Sequence, residues 1–254
     1  MGMAGGLETV QVAAYDNIGY IFISLWPANL SQDQVLYSAN ATVELMQESQ
    51  YMGIMDDKRM QKYVDGIAVH WYYDKTSPAQ ILTETQKKYP TKFIISTEAS
   101  IVTLMPNVSK VRLGDWSNGE AYLTDMIQDF THWVAGWYDW NLALNQEGGP
   151  NWVENYVDSS IIVNAENDEF YKQPLFYALG HFSKFIHEDS VRIDIVPNNK
   201  NGIRTVAFTT PYNATALVIS NERDHNTKVT IADPDRGYIT ISVPKRSFNT
   251  LMYW

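Results

Sequence analysis

Glu98 closes the run Lys92-Phe-Ile-Ile-Ser-Thr-Glu-Ala-Ser100. An apolar, β-type stretch that stops at a carboxylate followed by small residues fits a buried parallel strand whose last side chain faces a ligand crevice. Two other runs end in a similar way. Ile67-Ala-Val-His-Trp-Tyr72 finishes in polar aromatics, and Val134-Ala-Gly-Trp-Tyr-Asp-Trp-Asn141 finishes in an acid, an indole and an amide. His70, Trp71, Tyr72, Glu98, Asp139, Trp140 and Asn141 are therefore predicted to converge on one rim. Taken singly, each has a plainer reading: a glutamate that merely ends a strand, tryptophans that fill a core, a histidine hydrogen-bonded in the interior. Taken together they describe a carboxylate walled by aromatic rings and amides, which is how proteins hold sugars. Cleaving a glycosidic bond with retention needs one carboxylate to attack the anomeric carbon and a second acid, about 5 Å away, to protonate the leaving oxygen. Glu98 suits the first role.

Other chemistries are excluded by what the chain lacks. The five histidines have no paired ligand spacing, so no metal is expected. Gly148-Gly149-Pro150 does not open a helix as a phosphate-binding fingerprint must, and no cofactor is expected. There are no cysteines, which removes disulfides and thiolate catalysis. A net charge of -10 without any run of Lys or Arg argues against nucleic acid. Met1 to Val10 has no positive segment leading into an apolar core, and Ile18 to Leu30 is broken by Ser24 and Pro27; neither a signal peptide nor a transmembrane segment is expected. The sequons at Asn29, Asn40, Asn107 and Asn213 exceed the roughly two expected by chance, a hint of secretory-pathway exposure.

The elements that must position the rim follow from periodicity. The composition, 45% hydrophobic and 19% charged over 254 residues, is that of a chain with a sizeable core. Residues 1–55 are left unplaced. From 56 to 187 strands and helices alternate. A helix ends near Val64, a strand runs to Tyr72, and a helix capped by Ser77 with Pro78 in its first turn stops at Tyr89-Pro90. The strand bearing Glu98 comes next, then a helix over Glu120 to Trp133, the strand from Val134 and a Gly/Pro/Asn loop. A last helix is predicted over Phe170 to Phe185. This is the repeat of a parallel α/β architecture. From 188 to 254 the pattern becomes six short runs separated by Asn, Gly, Asp and Pro, which predicts an antiparallel β-sandwich domain.

Several long stretches in order carry a resemblance: Gly66-Ile-Ala-Val-His-Trp-Tyr72, Ser96-Thr-Glu-Ala99, Val111-Arg-Leu-Gly-Asp-Trp116, Gly136 to Asn145, Glu147-Gly-Gly-Pro-Asn-Trp152, and Phe170-Tyr-Lys-Gln-Pro174 through Phe185. They resemble the glucosylceramidases of glycoside hydrolase family thirty. The resemblance implies the C-terminal half of a (β/α)8 TIM barrel followed by the family's β-sandwich. It places Glu98 on the nucleophile and Tyr72, Trp140, Asn155 and Tyr156 on positions lining the glucose pocket, with His70 on the strand beneath. It implies hydrolysis of glucosylceramide to glucose and ceramide with retention, in the lysosome, with a saposin-like activator and an acidic lipid surface as partners. The family's acid/base glutamate lies in an Asn-Glu-Pro motif, and no Asn-Glu-Pro occurs in this sequence. The competing expectation is therefore a non-catalytic, truncated remnant that binds sugar or a partner protein.

Overall fold

The computed structural model describes residues 57–62, 64–74, 77–103, 108–197 and 202–254. The segment 1–55 and the sequons at Asn29, Asn40 and Asn107 lie outside the described residues. The chain falls into two compact units. One runs to Ala99 and includes His132–Tyr138; the other comprises Ser100–Thr131 and Asp139–Trp254.

In the first unit a short helix, α1 (Lys58–Gln61), precedes β1 (Gly66–His70), and α2 (Gln80–Lys88) separates β1 from β2 (Phe93–Glu98). With β3 (Val134–Trp137) these strands form a parallel sheet in the order β1-β2-β3. Parallel strands are covered on both faces and read as continuous apolar runs, which is why Ile67, Ala68 and Ile94 are buried. The predicted helix and strands are present, with edges shifted. Trp71–Tyr73 is not strand but a 3-10 turn, and α2 begins after Ala79, whose side chain makes no cap. Lys92 closes the base of the sheet by donating from Nζ to the carbonyls of Gln61, at 2.8 Å, and of Val64.

The second unit contains α3 (Trp116–Thr131), β4 (Ala143–Asn145), β5 (Ile161–Asn164), β6 (Glu169–Lys172) and α4 (Pro174–Ser183). It continues with β7 (Val191–Ile193), β8 (Ile203–Thr209), β9 (Thr215–Asn221), β10 (Thr227–Asp233), β11 (Gly237–Val243) and β12 (Ser247–Tyr253). The helix predicted over Phe170 to Phe185 is corrected at its start. Phe170–Lys172 belongs to β6, paired antiparallel with β5, and the helix begins only at Pro174, because Gln173 is extended and proline suits a first helical turn. All six predicted C-terminal strands are present. β12-β9-β8-β7 form an antiparallel sheet and β10-β11 a two-stranded ribbon. Ala207, Leu217, Ile219 and Val243 form the buried core of this region, joined by Val229, Ile231, Ile241 and Leu251.

Every residue of β9 is buried, against the alternation expected of a half-exposed strand, because both of its faces are covered. Leu217 and Ile219 face the ribbon-side core, while α3 packs across β8 and β9. Phe130 of α3 meets Phe182 of α4 at 4.9 Å between ring centroids and Phe208 of β8 at 6.0 Å. Trp116 stacks on Phe248 at 4.3 Å. Polar ties flank these rings: Arg246 pairs with Glu120 at 2.5 Å, and Glu222 accepts from Thr124 at 2.8 Å and Arg204 at 2.6 Å.

Candidate active site

The first unit assembles three of the predicted site residues. In the parallel ladder Gly66 pairs with Phe93 and Val69 with Ser96, and a register shift then sets His70 opposite Glu98 at the strand ends. The 3-10 turn that follows β1 carries Tyr72 over the same place, and its hydroxyl donates to Glu98 Oε1 at 2.8 Å. His70 Nδ1 stands 3.9 Å from Glu98 Oε2. The His70 and Tyr72 rings meet edge-on at 6.0 Å, and Trp71 and Tyr72 at 6.4 Å. Trp71 and Tyr72 therefore form one aromatic wall with the histidine beneath.

Electrostatics separate the roles of these groups. His70 is only 6% exposed, and burial drives its imidazole down to about 4, so it is neutral in all but strongly acid solution and its approach to Glu98 is a dipolar contact rather than an ion pair. Burial raises the Glu98 carboxyl above its ordinary value, and the Tyr72 hydrogen bond opposes that rise by favouring the anion. Glu98 is thus a partly desolvated carboxylate with one oxygen held by a neutral donor. That is the arrangement a nucleophile needs: poorly hydrated, oriented, and still ionisable.

Trp140, Asn155 and Tyr156 belong to the second unit. Trp140 is 53% exposed and Tyr156 38%. The backbone next to Trp140 is held by Asp139, whose Oδ1 accepts from Tyr122 at 2.9 Å and whose Oδ2 accepts from Ser160 at 2.6 Å. Burial pushes this carboxyl up to about 6, against the lowering influence of the two hydroxyls and of the neighbouring Trp140 and Asn141 amides. Asn155 and Tyr156 sit on a loop that its own side chains fold. Asn145 Oδ1 accepts from the amides of Glu147 at 3.1 Å and Gly149 at 2.7 Å, and Asn151 Oδ1 from those of Val153 at 2.9 Å and Asn155 at 3.1 Å. Gly148 has φ +89, and a Cβ there would fall 2.3 Å from the Val157 carbonyl oxygen, so no other residue fits. Gly149 lies against the Tyr156 ring, where a Cβ would stand 2.9 Å from Cε1.

The partners of Asp139 escape sequence reasoning. Tyr122 and Ser160 are 17 and 21 positions away and follow no motif. Asp158 is likewise a buried carboxylate that no motif marks. It accepts from Asn118 at 3.1 Å, the Arg112 amide at 3.2 Å and Gln173, and so anchors the start of α3. An acid next to a Ser-Ser pair, Asp158-Ser159-Ser160, in an otherwise apolar stretch was the available signal.

Residues 45–186 match the TIM-barrel domain of glycosyl hydrolase family 30, and residues 189–251 match the beta sandwich domain of the same family. The chain belongs to glycosyl hydrolase family 30. Over 201 residues it is 44% identical to the lysosomal acid glucosylceramidase of Mus musculus, covering 79% of this chain and 39% of that protein. It is 42% identical to the putative glucosylceramidase 3 of Caenorhabditis elegans, covering 79% of this chain and 38% of that protein. The chain thus spans about two fifths of the length of these family 30 relatives. Among solved structures, SrfJ from Salmonella typhimurium superposes with a TM-score of 0.70 at 23% identity, over 88% of this chain and 53% of that one. The endo-beta1,6-glucanase BT3312 superposes with a TM-score of 0.67 at 24% identity, over 81% of this chain and 45% of that one. These two likenesses bear on the fold: part of a TIM barrel followed by a β-sandwich.

Proposed function

We propose that this family 30 chain carries the nucleophile half of a retaining β-glucosidase that hydrolyses glucosylceramide to glucose and ceramide. The observation that carries the reading is Glu98 at the end of β2, partly buried, with Tyr72 donating to Oε1. Glu98 attacks the anomeric carbon as the glycosidic oxygen leaves with a proton, giving a covalent glucosyl ester; water then cleaves the ester and the carboxylate is regenerated. Tyr72 holds one oxygen so that the other presents its lone pair. His70, being neutral, supplies shape and a dipole without neutralising the charge that attacks. Trp140, Asn155 and Tyr156 are assigned to the glucose pocket. The acid that protonates the leaving oxygen is not assigned to any residue here, since the sequence contains no Asn-Glu-Pro. By the same reading the protein works in the lysosome on a lipid surface, with a saposin-like activator as its partner. Among the described residues no helix is long and apolar enough to cross a membrane.

Covalent labelling tests the assignment. A 2-deoxy-2-fluoro-glucosyl fluoride carries a leaving group that needs little protonation, so attack by the nucleophile can proceed without the acid. The label is expected on the peptide containing Glu98 and is expected to disappear in Glu98→Gln. A label on Asp139 or Glu147 instead would refute the nucleophile assignment. No label at all would favour the second reading, a sugar- or protein-binding remnant.

A further inference from the structure

Asp139 is the most heavily bonded carboxylate of the rim residues, and nothing in the reaction above uses it. Two hydroxyls converge on it, one on each oxygen: Tyr122 from α3 at 2.9 Å and Ser160 from just before β5 at 2.6 Å. Both oxygens already accept, an arrangement in place while the carboxyl is ionised, above the value of about 6 to which burial pushes it. The segment it holds shows what the hold opposes. Asn141 keeps its side-chain Nδ2 buried without an acceptor among the described residues, while its carbonyl accepts from Ser159 at 3.0 Å. A buried donor without an acceptor is costly, and a free loop would rotate to relieve it. This backbone is tied at the Asn141 carbonyl by Ser159, and through the adjoining Asp139 side chain by Tyr122 and Ser160.

We propose that Asp139 is a positioning residue: its carboxylate clamps the Trp140–Asn141 backbone to α3 and to the threshold of β5, and thereby fixes the direction of the Trp140 ring. The inference rests on the assignment of Trp140 to the glucose pocket. Tyr122 contributes rigidity, being fully buried on α3, a helix that also packs on α4. Ser160 contributes the second arm from a stretch, Val157–Ser160, that is buried throughout. The exposed indole of Trp140 is thus mounted on a backbone whose supports are all internal.

The test compares the full chain with Asp139→Asn, which keeps the shape and removes the charge, by amide hydrogen exchange read peptide by peptide, and by binding of 1-deoxynojirimycin, a glucose-shaped iminosugar, both well above pH 6, where the carboxyl is ionised. Exchange in the peptide spanning Tyr138 to Leu142 should become at least about tenfold faster, the loss expected when a segment gives up hydrogen bonds to a charged group. Peptides from α3 and β9 should not change, and iminosugar affinity should fall at least about fivefold. Unchanged exchange at Tyr138 to Leu142 would overturn the proposal, as would a loss of protection spread equally over α3 and β9, which marks a general structural contact. Should Asp139→Asn fail to fold, Tyr122→Phe and Ser160→Ala each remove one outer donor and leave the carboxylate. Faster exchange confined to the Trp140 peptide in either variant supports the clamp, and unchanged exchange in both overturns it. If the wild-type chain binds no iminosugar, the glucosidase reading fails, while the exchange data still decide the clamp.

Discussion

Replacing Tyr72 by Phe removes one hydroxyl and nothing else. The ring keeps its edge-on contacts with His70 at 6.0 Å and with Trp71 at 6.4 Å, so the wall stays in place. What is lost is the 2.8 Å hydrogen bond to Glu98 Oε1. That bond favours the ionised carboxylate and works against burial, which raises the Glu98 carboxyl above its ordinary value. A hydrogen bond to a charged group contributes about 1.5–3 kcal/mol, so Tyr72→Phe, which removes it, should raise the Glu98 carboxyl further. Only the anion attacks. The rate of covalent labelling by the fluoro-glucosyl fluoride should therefore fall on acidification with a midpoint at distinctly higher pH in Tyr72→Phe than in the wild type, while the two rates approach each other well above it. A side-chain carboxyl resonance assigned to Glu98 by NMR, absent in Glu98→Gln, gives the same midpoint without any reaction. A midpoint that stays where it is, or that moves down, would refute the claim that Tyr72 sets the charge of Glu98.

Burial lowers the imidazole of His70 from 6.5 to about 4, so between those values the unfolded chain binds a proton that the folded chain refuses. The contribution of His70 to stability is therefore highest above pH 6.5 and is lost as pH falls toward 4, by at most roughly 3 kcal/mol. Urea unfolding of the wild type and His70→Asn across that range should show the wild type losing ground to the variant on acidification; a pH-independent difference would mean that His70 is not held neutral. Gly148→Ala places a Cβ 2.3 Å from the Val157 carbonyl oxygen at φ +89, which costs at least about 1–2 kcal/mol and displaces the loop bearing Asn155 and Tyr156. Its amide exchange over 145–157 should rise together with a weaker iminosugar affinity, and an unperturbed loop would show that the turn is less constrained than its geometry demands.

How much of this was legible beforehand depended on whether the information was local. The parallel strands at Gly66–His70, Phe93–Glu98 and Val134–Trp137 announce themselves as short apolar runs, and the six C-terminal strands as alternating runs cut by Asn, Gly and Asp. The loop from Asn145 to Asn155 was equally visible, since Asn and Gly fold it through bonds two to four residues apart. Local pattern misled where two elements abut. Phe170–Lys172 has the apolar content of a helix start, yet it pairs with Ile161–Asn164, and a partner across a sheet overrides propensity.

The amino-acid sequence by itself determined which residues stand at the strand ends, an acid, a histidine and aromatics, and so which of them to propose for a sugar site. Only the tertiary structure decided what state those residues are in. The hydroxyl that reaches Glu98 comes from 26 positions away, and the hydroxyls that reach Asp139 from 17 and 21. Burial and hydrogen-bond partners set a carboxyl's charge and direction, and both are properties of chain segments brought together by folding, on which no local spacing bears.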